Sequence, residues 1–555
     1  MSDLTHEAPP RWVGPNWPRP VPQLRILVVI DGRIELNKDA GSFGLGYALD
    51  ALPQMGSIAH VTVGIATREE SIADYVSAGR EVLYTAFKFT QEGFDLDSWD
   101  QVWLFADQPH EGDGGLEDTD DLIAGFFELT DAEVLRLAQW MDRGGGVFAV
   151  GDHTVLGASM CHRIPRVRTM RRWTHADNVP EKTGPTRNQT LQPGSNGIED
   201  DLLLQPVELT VFQTIGDSPF NAAQRPHPLM CTRYGPIERF PDHMHEGEVT
   251  PEAEVDLHRT LDIPGYDRPE YPPGLPFVPP GRGGDLLGLR LPRPRPQVIA
   301  YGRTTNDAVV PWSIGSGENA PLHPPLFQAA RRFGLVSVYD GDFAGVGRVV
   351  CESTWHHWFS YNLDGIATAA NADFARMKWY YRNMALWLAS PAKRREMTVG
   401  AVWTMLLSPT AFTGRRTAWE MGEKATELMK DWMSPCWVNE LVNAQFDASA
   451  LYLAPRFEDS PNKGPIWGVL PESVVHRAVL GTLCVALRPL ANDVARLQRL
   501  RNDVALDMRA IQTAADRARA EAPRILEDCI VNAAESYKAL GERWAASTKS
   551  HPKAK

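Results

Sequence analysis

The sequence predicts an α/β protein: a doubly wound, mostly parallel sheet that carries a large irregular insertion and is followed by an all-α C-terminal region. Three observations predict it. Between residues 24 and 390, short apolar runs repeatedly end in polar turns, the pattern of strands buried on both faces of a parallel sheet. One amphipathic stretch among them carries its own helix start and stop signals. After Pro391 the strand-like runs largely cease and helical spacing takes over.

Residues 1–23 are rich in Pro and Trp and read as an extended arm, with no apolar segment of a signal peptide. Arg25–Ile30 is the first strand and ends at Asp31-Gly32. The glycine-punctuated loop Asp39–Gly46 leads to a short helix near Tyr47–Leu52. It lacks both the GxGxxG spacing and a Walker lysine, so it reads as a plain loop and helix start. His60–Ile65 alternates like a second strand. Val102–Ala106 is a third, ending in Asp107-Gln108-Pro109-His110-Glu111.

The chain is organised around Thr130–Gly157. Thr130 and Glu133 have capping-box spacing, and Val134, Leu137, Ala138 and Met141 recur at helical intervals. Gly144–Gly146 turn the chain back. Val147–Val150 is then a buried strand, and Gly151-Asp152-His153-Thr154 follows at its carboxyl end, where open α/β sheets place their ligands.

From about 156 to 296 the pattern dissolves into Pro, Gly, Arg and His, an irregular insertion with some strand, for example Val207–Phe212. Strands resume at Val298–Tyr301, Leu335–Tyr339 and Arg348–Glu352. An amphipathic helix over Ala369–Leu388 closes the domain. In region 391–555, Thr417–Trp432 and Val474–Leu487 are helical. Val494, Leu497, Val504, Met508, Ile511, Ala515 and Ala518 then predict one long helix with a buried stripe. Pro523 is expected to end or kink it, and Ile525–Trp544 is a last helix. These helices fold as an intramolecular hairpin or else offer a surface for self-association or a protein partner.

An apolar fraction of 43% and a charged fraction of 23% are those of a soluble globular protein. The net charge of −14 argues against general nucleic-acid or anionic-membrane binding. Cysteines 161, 231, 351, 436, 484 and 529 lie far apart with no CxxC pair, which suits reduced thiols and a cytoplasmic address. The apolar run Val474–Leu487 is too short to span a bilayer.

Four clusters carry groups able to bind protons or metals: Asp152-His153; Asp107, His110 and Glu111; Asp242-His243-Met244-His245-Glu246; and Trp355-His356-His357-Trp358. Three follow strand ends of one sheet and could converge on one edge. Imidazole and carboxylate are ligands for zinc or manganese, so His243, His245 and Glu246 are the candidate divalent-metal ligands. His-x-His on an extended segment puts both rings on one face. Arg163, Arg166, Arg168, Arg171 and Arg172 form a basic cluster suited to phosphate or carboxylate, or else to pairing with the protein's own acids.

The segment "LTDAEVLRLAQWMDRGGGVFAVGD", with the downstream "GRVVCESTWHHW", resembles the class I glutamine amidotransferase-like superfamily, most closely its ThuA-like (trehalose-utilisation) branch. The resemblance covers residues 24–390 and implies a flavodoxin-like sheet. An amidotransferase carries a G-x-C-x-G nucleophile elbow at this turn. Here His153 occupies the cysteine position, Cys161 lies too far along to replace it, and "WHHW" lacks the expected following acid. Glutaminase chemistry is therefore not expected. The ThuA-like branch also lacks the cysteine, and its link to sugar metabolism implies a carbohydrate or polyol ligand. The expected function is an enzyme, hydrolase or isomerase-like, acting on a small polar ligand. His153, Asp152 and His356 are its acid/base groups, with or without a metal, and Asp107, His110, Glu111, Arg163, Arg166 and His357 its ligand-binding residues. The alternative is a non-catalytic ligand-binding or scaffold protein assembling through its C-terminal helices.

Overall fold

The computed structural model describes residues 18–32, 34–56, 58–70, 79–108, 128–152, 156–173, 204–210, 226–241, 247–276, 290–303, 332–369, 371–407, 412–414, 417–446, 472–500 and 504–549. The chain divides into two compact units, one built from Pro22–Gln213 and Gln224–Arg394, the other from Arg395–Lys555 together with Pro9–Val21.

An eight-stranded sheet forms the first unit. Its strands are β1 (Gln23–Ile30), β2 (His60–Thr67), β3 (Gln101–Phe105), β4 (Gly146–Val150), β5 (Glu208–Leu209), β6 (Gln297–Arg303), β7 (Arg332–Tyr339) and β8 (Val349–Glu352). In space they lie in the order β2-β1-β3-β4-β8-β7-β6-β5. The five strands from β2 to β8 run parallel, and β7, β6 and β5 add on antiparallel. The sheet is thus α/β and mostly parallel, with an antiparallel extension that apolar patterning alone did not reveal. In the parallel half Ile30, Thr67, Phe105, Val150 and Glu352 stand level. The residues just beyond them therefore share one edge.

Alternation along each strand feeds two cores. One face presents Leu27, Val29, Val102, Leu104, Val147 and Ala149 to the stripe Val134, Leu137, Ala138 and Met141 of α2 (Asp131–Asp142), the helix that follows the short α1 (Gly46–Ala51) along the chain. The other presents Trp103, Phe105 and Phe148, whose rings stand 5.7, 5.2 and 4.9 Å from that of Trp358. Helix α2 starts as the sequence predicts, with the Thr130–Glu133 capping box closed in both directions. Glu133 also binds the guanidinium of Arg68 at 2.7 Å, ion-paired and buried, which ties the helix start to the end of β2.

The sheet's outer strands are covered differently. Beside β2 the chain at 83–87 adds backbone bonds, Leu83 N–H to Ile65 O, Thr67 N–H to Tyr84 O and Phe87 N–H to Thr67 O, at 2.8–2.9 Å. At the far side β5 is two residues long, and Glu208 pairs there with Arg303 and Arg332, both at 3.0 Å.

The described parts of the insertion are packed rather than irregular. They include the helical turns Ala158–Cys161 and Val167–Met170 and short ribbons such as Leu204–Pro206 with Arg239–Pro241. They bury Trp173, Leu229, Ile237, Phe240, Val249 and Tyr271. After β8 come two helices, Ser360–Thr368 (α3) and Ala372–Leu388 (α4), where one was expected. Asn371 caps the second by accepting from Asp373 N–H.

Helix α5 (Pro391–Leu406) leads into the second unit, with α6 (Ala418–Trp432), α7 (Pro435–Asn443), α8 (Glu472–Leu500) and α9 (Met508–Lys549). Helices α6 and α8 cross where a Cβ at Gly422 or Gly481 would collide with the carbonyl of Arg477 or Ala418. Only glycine permits that approach. Pro18–Val21 is not a free arm: Trp403 donates to Pro18 O at 3.2 Å, and Pro20 is buried. The single long helix expected from Leu490 is two helices. Asp507 caps a new start by accepting from Ala510 N–H, and α9 packs on α8 through Ile511, Ala515, Ala518 and Ala522. Leu497 and Met508, expected on the buried stripe, are 38% and 54% exposed. Pro523 lies within α9, which continues past it. Val474–Gln498 is long and apolar enough to cross a membrane by length and composition, but 56% of its most apolar window is buried within the protein, as in a core helix.

Candidate active site

Strand order defines a switch point. From β1 the chain moves outward to β2, then returns to the other side of β1 as β3. Crevices at such reversals, outside the strands' carboxyl ends, are where α/β sheets bind ligands. Asp31-Gly32 follows β1, Asp107-Gln108 follows β3, Asp152 follows β4, and His356 lies four residues beyond β8. All of these side chains are buried.

Asp152 and His356 meet. His356 Nε2 stands 2.9 Å from Asp152 Oδ2, and Nδ1 lies 3.1 Å from Asn362 Oδ1. Both ring nitrogens face oxygen acceptors, an arrangement that two N–H donors satisfy. Asp152 is fixed in turn by reciprocal backbone bonds to Leu156, at 3.1 and 3.2 Å, across the turn. Loop 39–46 closes over the same segment. Ser360 N–H donates to Gly44 O at 2.8 Å, Tyr361 N–H to Ser42 O at 3.0 Å, and Phe43 packs edge-on against Trp355 and Phe359.

Its neighbour His357 belongs to a different structure. Its Nε2 stands 2.9 Å from Glu352 Oε2, and that carboxylate also accepts from Trp358 Nε1 at 2.6 Å and from the Tyr380 hydroxyl. Phe240 stacks on the His357 ring with centroids 4.4 Å apart. The second pair is sealed in the core under aromatic rings, so His357, expected to touch ligand, holds the helix layer to the sheet instead.

Acids crowd the switch point. Gly32, at φ +60°, donates its N–H to Glu69 Oε1 at 3.0 Å. A Cβ there would run into Asp107 and Gln108. Asp31 accepts from the backbone N–H of Asp107. Burial, assisted by the charge on Asp107, pushes its carboxyl up to about 8 despite that hydrogen bond. Burial likewise raises Glu69, with the Asp107 charge adding to it. Between the unfolded value near 3.8 and about 8, the folded protein keeps a proton that the unfolded chain has released. Asp31 therefore contributes stability that is full below 3.8, falls as pH rises, and stays lost above about 8. Replacing Asp31 with Asn should remove this component. In urea titrations the variant's stability relative to wild type should rise from pH 4 to pH 8, and identical pH profiles would disprove the assignment.

No protein-family model and no curated protein matches this chain. The site therefore stands on its geometry.

Of the residues expected at the site, Asp152, His356 and Asp107 lie along the carboxyl edge. His110, Glu111, His153, His243, His245 and Glu246 lie outside the described residues. Among the described residues, no three His, Cys, Asp or Glu side chains form a metal-holding group. Arg163 and Arg166, expected to bind an anion, are taken up by the protein. Arg163 donates to Leu129 O at 2.6 Å and pairs with Asp131. Arg166 is fully buried, paired with Asp142 at 3.1 Å and bonded to Glu270 O at 3.0 Å. Asp142 ends α2, near the start of β4 and so away from the carboxyl edge. Residues 168 and 172 of the cluster pair with Glu270 and with Glu248 and Glu254. Arg171 donates to Ser353 O at 2.9 Å. The cluster fastens the insertion down. Asn362 and Glu69 were not singled out from sequence. Asp31 was at least visible as an acid closing an apolar run.

Proposed function

We propose that this chain is an enzyme acting on a small polar ligand, with Asp152 and His356 as its proton-transferring pair. The observation that carries the reading is their buried 2.9 Å contact beside the switch point of a parallel sheet. A buried acid–imidazole couple can hold a proton and deliver it to a reacting atom. Asn362 orients the ring through Nδ1. His153, next in sequence to Asp152, is the nearest candidate for a second acid/base group. The strand order β2-β1-β3-β4-β8 fits a flavodoxin-like core. With the resemblance to the ThuA-like branch, it favours a sugar derivative as ligand and a hydrolase or isomerase-like reaction without a cysteine nucleophile. Cys161, the nearest cysteine to the turn, is buried, and burial raises its thiol well above the ordinary value, which suits no nucleophile.

The test begins by screening sugars and sugar acids for thermal stabilisation and turnover. With a turned-over compound in hand, His356→Ala and Asp152→Asn should each lower kcat by about 10²–10⁴-fold while leaving the fold intact by circular dichroism. Unchanged kcat in both would place the chemistry elsewhere. Binding without turnover of any binder would favour a ligand-binding protein instead.

A further inference from the structure

Helix α9 is 42 residues long, and α8 accounts for one of its faces, where Ile511, Ala515, Ala518 and Ala522 are buried. One position before each of these, about 100° round the helix, stand Ala510, Ala514, Arg517 and Glu521. The first three, with Asp507, form one wall of a groove of about 500 Å³, and Ala486, Pro489 and Leu490 of α8 form the other. Continued at the same alternating steps of three and four, this face of α9 runs through Arg524, Asp528, Val531, Glu535 and Lys538, all exposed. Val531 is 51% exposed, an open apolar side chain in a row of charges. Among the described residues, Arg517, Glu521, Glu535 and Lys538 form no ion pair. Arg524 and Asp528 stand 3.6 Å apart with both side chains largely in solvent, a contact of little strength.

We propose that this face is the seam of an antiparallel homodimer, α9 of one copy lying along α9 of a second. The order of residues carries the proposal, because the face is complementary to itself. About a two-fold axis between positions 522 and 523, Arg524 meets Glu521 of the second copy, Arg517 meets its Asp528, and Asp507 meets its Lys538. Glu535 comes beside Arg509. Val531 falls opposite Ala514, where small side chains leave the groove open, and reaches the apolar wall of Pro489 and Leu490. Symmetry makes every one of these contacts twice. A parallel pairing would instead set Arg517 on Arg517 and Glu521 on Glu521. Exposed ion pairs add little affinity one by one, but their order fixes direction and register.

Sedimentation equilibrium of the full chain tests the proposal. Wild type should dimerise at low-micromolar concentration in about 50 mM salt, with Kd rising at least tenfold by about 500 mM as the pairs are screened. Arg517→Glu and Asp528→Arg each bring like charges together at both symmetric contacts, and each should weaken the dimer at least tenfold. An equimolar mixture of the two variants should recover it, since every contact then joins opposite charges again. Val531→Ser should weaken the dimer at low and high salt alike. A wild type that stays monomeric at about 100 μM in low salt, where even weak specific pairing shows, overturns the proposal. So does a dimer that neither charge reversal weakens, or one that mixing fails to recover. The wild-type salt dependence needs no variant, so misfolding of a substituted chain leaves the test decisive.

Discussion

Replacing Glu352 with alanine is expected to destabilise the first unit by about 3–5 kcal/mol, the cost of breaking a buried, hydrogen-bonded charge. The Glu352 side chain is fully buried and is met by His357 Nε2, Trp358 Nε1 and the Tyr380 hydroxyl. Its removal strands the Trp358 and Tyr380 donors in a region lined by Phe240, Trp358 and Tyr380, where each orphaned donor costs about 1–3 kcal/mol. Glu352→Gln keeps an acceptor and should cost less. Equilibrium unfolding in urea, followed by near-ultraviolet circular dichroism, reads the difference. A loss below about 1 kcal/mol for the alanine variant would mean that the carboxylate does not anchor this layer.

The second large effect is expected at Arg166. Arg166→Met should also cost about 3–5 kcal/mol, because the guanidinium is fully buried between Asp142 and the backbone oxygen of Glu270. It should also free the chain around Glu270 and Tyr271 to limited proteolysis. The Arg166 N–H donates to Glu270 Oε2 at 2.9 Å, and Tyr271 bonds Thr169 beside it, so this segment is held where Arg166 is held. Arg163→Met is the control. Arg163 is 28% and Asp131 59% exposed, and partly exposed pairs contribute about 0–1 kcal/mol. Equal losses in the two variants would contradict the buried-anchor assignment.

Several local signals in the sequence were read correctly because neighbours along the chain decide the outcome. The Thr130–Glu133 box, the α2 stripe and the Val147–Val150 strand need only a few consecutive residues. What depends on distant pairing was illegible. An apolar run such as Leu335–Tyr339 reads the same whichever way it runs, so the antiparallel turn from β8 to β7 could not be seen. Arg166 reads as a surface cation until Asp142 and Glu270 close around it. His356 and His357 looked alike in sequence. They occupy a 3₁₀ turn, where successive side chains point about 120° apart, and that separation sends one ring to Asp152 and the other to Glu352. The expected stripe through Leu497 and Met508 failed because a 3.5-residue repeat presumes one unbroken helix. Asp507 starts a new one.

The way the sheet's outer strands are finished bears on how the protein survives crowding. An open strand margin is a template on which another chain can add by backbone bonding, the route to strand-swapped aggregates and amyloid. Here the carboxyl half of β2 is already bonded to the chain at 83–87, and its amino half begins with the exposed His60. At the opposite margin a two-residue β5 bears Glu208 between Arg303 and Arg332. An incoming strand would have to displace a bonded segment at one side or bury an ion cluster at the other. The long buried runs of β1, β3 and β4, which as isolated peptides would be prone to stack into fibrils, are thus kept from templating one another while the fold persists.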